Sequence, residues 1–255
     1  MKNLVNSKYL PLFMAGLGIV GFALRRGLYA VALDHKNLLI AGHPLQWLLL
    51  LVTLAAMALA FLSGAGAGRC GTPGRLAALG CLALAVGISL ELLPQGFSVG
   101  GLSRLRCILG ILASLAMVAA AVQNLLRKPT FFLLPGIVCV FFAVHMVSCY
   151  QGWSSNPQIL DYLYTLLAAV GLMLFAYQQS ACAADCGSGK LLRLFGSVSI
   201  FCGITALSGT EFPALYLTGS FWALTSLCCP EPVPAVEPPE SPLEASGDTF
   251  PEETE

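Results

Sequence analysis

Charge is what this chain has least of. Only 10% of its 255 residues are Asp, Glu, Lys or Arg, where a soluble domain carries about 25%. With 57% hydrophobic residues and a mean hydropathy of +0.80, the polar surface is too small for a globule in water, and lipid becomes the solvent. Acids are scarcer still. Residues 1–230 hold all 13 Lys and Arg against five acids, Asp34, Glu91, Asp161, Asp185 and Glu211, a net of +8. The remaining eight acids lie in residues 231–255, which contain no base. A formal net charge of zero therefore joins a basic body to an acidic tail, and no nucleic-acid partner is expected.

Histidine is scarce too, with three in the chain. One, His145, falls inside an apolar run, so a bis-histidine haem lacks its second ligand and no cofactor is expected. Ser/His/Asp order, a helical H-E-x-x-H and a close pair of intramembrane carboxylates are all missing. Hydrolase and protease chemistry thus has no support, and an intramembrane enzyme is the weakest function class. Ten cysteines are present, but paired C-x-x-C elements are not. Cys182 and Cys186 are spaced C-x-x-x-C, and Cys228 and Cys229 are adjacent, so no metal site is expected. Cys81, Cys107, Cys139 and Cys202 read as small hydrophobes within spans. His145 and Cys149, at i and i+4, share a helix face that a soft metal could bridge. A hydrogen-bonded core histidine is the favoured reading.

Two motifs fail on inspection. "GLGIVG" spells G-x-G-x-x-G at Gly16, Gly18 and Gly21, but it lies inside an apolar run with no strand before it. Close helix packing is the better use of its glycines. "CGSGKLL" (Cys186–Leu192) resembles a phosphate-binding loop, yet Ala184 stands where its first glycine belongs and Leu191 where Ser or Thr would hold magnesium.

Long apolar runs are what remains. Eight cover residues 9–33, 44–63, 76–93, 104–126, 130–149, 158–180, 191–208 and 212–229, the last two short for a hydrocarbon core of about 30 Å. The early run resembles a signal peptide, with Lys2 and Lys8 before it and "AVA" at Ala30–Ala32, but Arg25 and Arg26 interrupt its core, and an uncleaved first helix is expected. A cytoplasmic N-terminus places eight bases on the inner side (Lys2, Lys8, Arg69, Arg75, Arg127, Lys128, Lys190, Arg193) and Lys36, Arg104 and Arg106 outside. That agrees with the positive-inside rule. Trp47, Tyr150, Trp153, Tyr162 and Tyr164 then form an outer aromatic belt. Outer loops recur near residues 38, 98, 154 and 210, and three returning helices open with proline, at Pro44, Pro157 and Pro213, which suits a first helical turn.

The fold expected is all-α: a polytopic transmembrane helical bundle (residues 1–229) of about eight spans in four hairpins, in the cell membrane with both termini cytoplasmic. Residues 230–255 hold seven prolines and eight acids and should form a disordered tail. In general style, with Leu/Ala/Gly-rich spans and short loops, the chain resembles multi-span proteins of Gram-positive bacteria. No motif carries a residue role or an activity over from them.

One functional pattern emerges. Apart from Asp185, the body's acids gather toward the outer face, where Arg25, Arg26, Lys36, Arg104 and Arg106 also lie. Arg25 and Arg26 are about 100° apart around a helix, so one protein-facing side cannot serve both. At least one is expected to meet Glu91, Asp161 or Glu211. Near-equal numbers of both signs favour ion pairs that pin the hairpins. The competing use is an anion-attracting vestibule, in which the arginines and the N-termini of returning helices bind a small carboxylate, a phosphate-bearing solute or a lipid headgroup. The site candidates are Arg25, Arg26, Glu91, Arg104, Arg106, Asp161 and Glu211. The sequence thus points first to a binding protein, or a transporter, for a small anion. Against a transporter, the inner half carries few intramembrane polar residues. The alternative is a non-catalytic scaffold or sensor that docks a cytoplasmic protein on its acidic tail.

Overall fold

The computed structural model describes residues 9–31, 43–65, 72–92, 101–153, 162–228 and 230–231. Among the described residues eight helices follow one another: α1 Leu10–Val31, α2 Pro44–Ala65, α3 Arg75–Leu92, α4 Gly101–Leu125, α5 Leu133–Trp153, α6 Leu163–Ala183, α7 Gly189–Ala206 and α8 Pro213–Cys228. Seven are long and apolar enough to cross a membrane. The exception, α8, has 16 residues and rises about 24 Å. The protein is a helical membrane bundle.

Most helices bury one stripe and leave large apolar side chains such as Leu51, Leu54, Phe61 and Leu115 exposed, the inverse of a water-soluble bundle and the pattern lipid requires, whereas α7 is buried on most of its sides. On α1 the buried stripe runs Met14, Gly18, Gly21, Arg25, Leu28. Its alternating steps of four and three residues mark one face of a helix packed on a neighbour. On α3 it runs through Gly80, Cys81, Leu84, Gly87 and Ile88. On α4 it runs Arg106, Gly110, Ala113, Met117, Ala120, Asn124.

Consecutive helices pack as hairpins, and the bundle then closes. Helices α3 to α8 form a ring in which each touches the next and α8 returns to α3, its most extensive partner. The α1–α2 hairpin lies outside the ring, against α7. Small residues permit two of the non-sequential contacts, α1 on α7 and α3 on α8. A Cβ on Gly18 would lie 3.0 Å from the Ile204 Cβ, and one on Gly21 2.5 Å from the Thr205 hydroxyl, so α1 and α7 approach through two glycines of the G-x-G-x-x-G stretch. The third, Gly16, has nothing within 4 Å. A Cβ on Gly80 would lie 2.8 Å from the Trp222 Cα, and one on Gly87 3.0 Å from the Ala214 carbonyl oxygen. This close approach of backbones is the usual means of association in lipid, where apolar burial gives no driving force.

Helices α4 and α6 end alike. Lys128 N–H donates to Gln123 O and Cys186 N–H to Ala181 O, each at 3.0 Å, while Arg127 and Asp185 adopt positive φ of 54° and 57°. These are Schellman endings with a residue other than glycine at the left-handed position. Asp185→Gly is therefore expected to stabilise the protein by about 1 kcal/mol, read as a rise in the melting temperature of the purified protein. Where the chain leaves α8, Pro230 and Glu231 pair antiparallel with Pro73 and Thr72. This ties the root of the acidic tail to the segment just before α3. Residues 232–255 lie outside the described residues.

Candidate ligand-binding pocket

The stripes determine which charges face the protein. Arg25 extends the stripe that Gly18 and Gly21 begin and is 3% exposed, while Arg26, one position further round, is exposed. The Arg25 guanidinium donates to the Tyr29 hydroxyl at 3.1 Å and to the Thr205 carbonyl at 3.5 Å, and it lies over the Tyr29 and Tyr164 rings. Tyr164 shares a 2.7 Å hydrogen bond with Thr53. Arg25 and Tyr164 together therefore knit α1, α2, α6 and α7. Tyr164, expected in an outer aromatic belt, points inward instead, whereas Trp47 and Tyr150 are exposed.

The other inward charges meet at the same end of the ring. Glu91 continues the α3 stripe and accepts a 3.0 Å hydrogen bond from the Ala214 N–H in the first turn of α8. Pro213 has no N–H to offer, and the Thr210 hydroxyl accepts from Phe212 N–H. A carboxylate at a helix N-terminus is electrostatically favourable. Of the N–H groups expected to be free for a ligand at this helix, the Ala214 N–H is thus taken by the fold.

Arg106 heads the α4 stripe and is 7% exposed. Its guanidinium lies over the Phe212 ring, 5.2 Å from the centroid. Among the described residues it has no hydrogen-bond acceptor and no ion pair with Glu91 or Glu211. Among the described residues, the pairing that the balanced charges favoured is not seen at this position. Arg106 and Glu91 instead line one small pocket of about 10 Å³, with His145 and an apolar wall of Ile88, Leu92, Phe141, Phe212 and Leu215. His145 is buried on α5. Its Nε2 lies 3.2 Å from the Tyr216 hydroxyl and 3.6 Å from the Cys149 sulfur, and Phe212 meets its ring edge-on at 5.0 Å between centroids. His145 is thus a hydrogen-bonded core residue. No group of three or more metal-ligating side chains occurs among the described residues.

Arg104 and Glu211 are exposed, and Asp161 lies outside the described residues. Of the seven candidates, Glu91 and Arg106 share the pocket, Arg25 is buried elsewhere, and Arg26, Arg104 and Glu211 face outward. Sequence reasoning missed Tyr216 and Phe212. Neither is polar enough to stand out in an apolar run, and only the closure of α8 onto α3 brings Phe212 into the pocket wall and the Tyr216 hydroxyl to His145. Among the cysteines, Cys182 is disulfide-bonded and its partner lies outside the described residues. No protein-family model, curated protein or solved structure matches the chain.

The chemistry of the pocket follows from its walls. A buried guanidinium offers five N–H donors in a planar fork suited to a carboxylate. Leaving such donors unmet costs about 1–3 kcal/mol or more. The room beside the fork, about 10 Å³, is that of a single water, so a larger ligand requires the apolar wall to open.

Proposed function

We propose that this multi-pass membrane protein binds a small monocarboxylate in the pocket, with the carboxylate on Arg106 and the carbon body against Phe212 and Phe141. The observation that carries this reading is the Arg106 guanidinium, buried, lining a pocket, and without an acceptor among the described residues. Thermal unfolding of the detergent-solubilised protein tests it, because a ligand that binds only the folded state raises the melting temperature. Pyruvate should raise it in a saturable way, and Arg106→Gln should remove the rise. Inorganic phosphate and a phosphate-headed lipid are the competing arms. A response confined to the lipid would make the site a headgroup site.

In this reading the protein sits in the cell membrane with both termini cytoplasmic, as the loop charges favour. The α6–α7 loop is then cytoplasmic. The disulfide at Cys182 weighs the other way, since disulfides belong with oxidising compartments. Cys186 is exposed and free in that loop, so it reports sidedness directly. A membrane-impermeant maleimide is expected to label it only after permeabilisation, with Cys186→Ala as the blank. Labelling in intact cells would invert the topology.

The scaffold reading has one supporting contact, the pairing of Pro230–Glu231 with Thr72–Pro73, which holds the root of the acidic tail beside the bundle.

A further inference from the structure

The charges of this chain divide along its length. Residues 1–230 carry a net charge of +8, and residues 231–255, with eight acids and no base, carry −8. Much of the positive side of this division gathers at one end of the bundle, where α3 and α7 begin and α4, α6 and α8 end. The Asn124 amide in the last turn of α4 donates to the Cys81 sulfur in the second turn of α3 at 3.7 Å. A Cβ on Gly80 would lie 3.3 Å from the Thr225 Cβ near the end of α8, and one on Gly196 of α7 2.6 Å from the Leu227 side chain. The Ser180 hydroxyl near the end of α6 donates to Phe132 O, just before α5, at 2.7 Å.

Among the described residues this end holds Arg75, Arg127, Lys128, Lys190 and Arg193 against one acid, Asp185. Of the five bases all but Arg193 are exposed. Their side chains have no ion pair or hydrogen-bond acceptor among the described residues.

The acidic segment starts at this same end. Helix α8 stops at Cys228, and Pro230 and Glu231 pair with Pro73 and Thr72, two to three positions from Arg75. Beyond them Glu237, Glu240, Glu244, Asp248 and Glu252 recur every three or four residues, followed by Glu253 and Glu255. In an extended proline-rich chain rising about 3.1 Å per residue, that spacing sets carboxylates about 9–12 Å apart. Packed helices stand about 8–10 Å apart, so successive carboxylates match successive helix ends. Residues 232–255 would reach about 70 Å at that rise, several times the helix diameter of about 10 Å.

We infer that the basic end of the bundle is a docking surface for the chain's own acidic C-terminal segment, residues 232–255, drawn there by charge and anchored by the pairing of Pro230–Glu231 with Thr72–Pro73. The inference goes beyond the pocket and does not depend on it. Anionic lipid headgroups compete for exposed bases beside a membrane. The segment has the advantage of attachment, since a short flexible tether sets a local concentration in the millimolar range. An anionic lipid surface that took the bases would also have to approach the carboxylates fixed beside them, which it repels. Docking shields the bases from other acidic partners and withholds the segment from basic ones.

Cleavage of the full-length protein by a glutamate-specific protease tests it, in phosphatidylcholine nanodiscs that leave both faces open, with the released C-terminal fragments read by mass. Raising the salt from about 10 mM to about 1 M shortens the screening length from about 30 Å to about 3 Å and should speed release from the wild type at least about fivefold. The triple variant Arg127→Gln, Lys128→Gln, Lys190→Gln should release the segment fast at both salts, which also controls for any effect of salt on the protease. All three positions are exposed, so its melting temperature should stay near that of the wild type. Where the triple variant does not fold, Lys128→Gln, Lys190→Gln is read in the same way. Equal release from wild type and variant at low salt overturns the docking. So does slow release that vanishes once phosphatidylserine is added to the nanodiscs, because the bases then belong to the lipid.

Discussion

Replacing Arg106 with methionine is expected to make the protein more stable and at the same time deaf to pyruvate. Methionine has nearly the length of arginine without its charge, and its flexible thioether fills irregular space. The guanidinium lies buried over Phe212 without an acceptor among the described residues, so its removal relieves desolvation and breaks no hydrogen bond. Exchanges of buried charge for well-packed apolar groups are neutral or stabilising by about 1–4 kcal/mol, and a rise in melting temperature is the readout. The carboxylate loses charge-assisted hydrogen bonds worth about 1.5–3 kcal/mol, so affinity should fall between roughly tenfold and a hundredfold. Arg25→Met is the contrast. That guanidinium donates to the Tyr29 hydroxyl and the Thr205 carbonyl and ties α1 to α7, so its loss should lower the melting temperature and leave the pyruvate response intact. If Arg106→Met instead destabilises as Arg25→Met does, Arg106 is a structural pin and the pocket loses its claim to a ligand.

The two arginines show how far the sequence could be read. Both stand out because charge in an apolar run is costly, and the 100° step between Arg25 and Arg26 already excluded one face for both. The structure puts Arg25 inward and Arg26 outward. The glycines at Gly18 and Gly21 indicated a close neighbour, and hydropathy located the helices to within a few residues. The identity of each neighbour could not be read. Apolar periodicity says that a helix has an inward stripe, but in lipid every outward residue is apolar as well. The contrast between stripe and surface is carried by residue size, Gly and Ala against Leu and Phe, and size does not say which helix is opposite. The return of α8 onto α3 therefore had no local signal beyond the seven-residue spacing of Gly80 and Gly87.

Buried polar residues were overlooked as well. Asn124, Gln178, Ser197 and Ser226 are single polar residues in long apolar runs, and each alone is tolerable in a membrane helix. Among the described residues, Thr165, Gln178, Ser197, Trp222 and Ser226 each bury a polar side-chain atom without a hydrogen-bond partner, and no spacing in the sequence marks them.

The ring itself can be broken at Gly80. Its missing Cβ would lie 2.8 Å from the Cα of Trp222, a backbone atom that cannot rotate aside, so Gly80→Val forces α3 and α8 apart. Overpacking of this kind costs about 1–3 kcal/mol and at times more, and a melting temperature lower by several degrees is expected. The damage should reach the pocket. Glu91 holds the Ala214 N–H at 3.0 Å on the same interface, about 16 Å further along α3 at helical rise, and Phe212 sits just before that turn. A small tilt of α8 carries the ring that stacks on Arg106 out of place, so pyruvate affinity should fall together with stability. Gly16→Val is the matched control, since a Cβ on Gly16 has nothing within 4 Å to meet. It should leave both measurements near the wild-type values. Equal tolerance at Gly80 and Gly16 would mean that α8 does not close onto α3, and the pocket, which exists only through that closure, would fall with it.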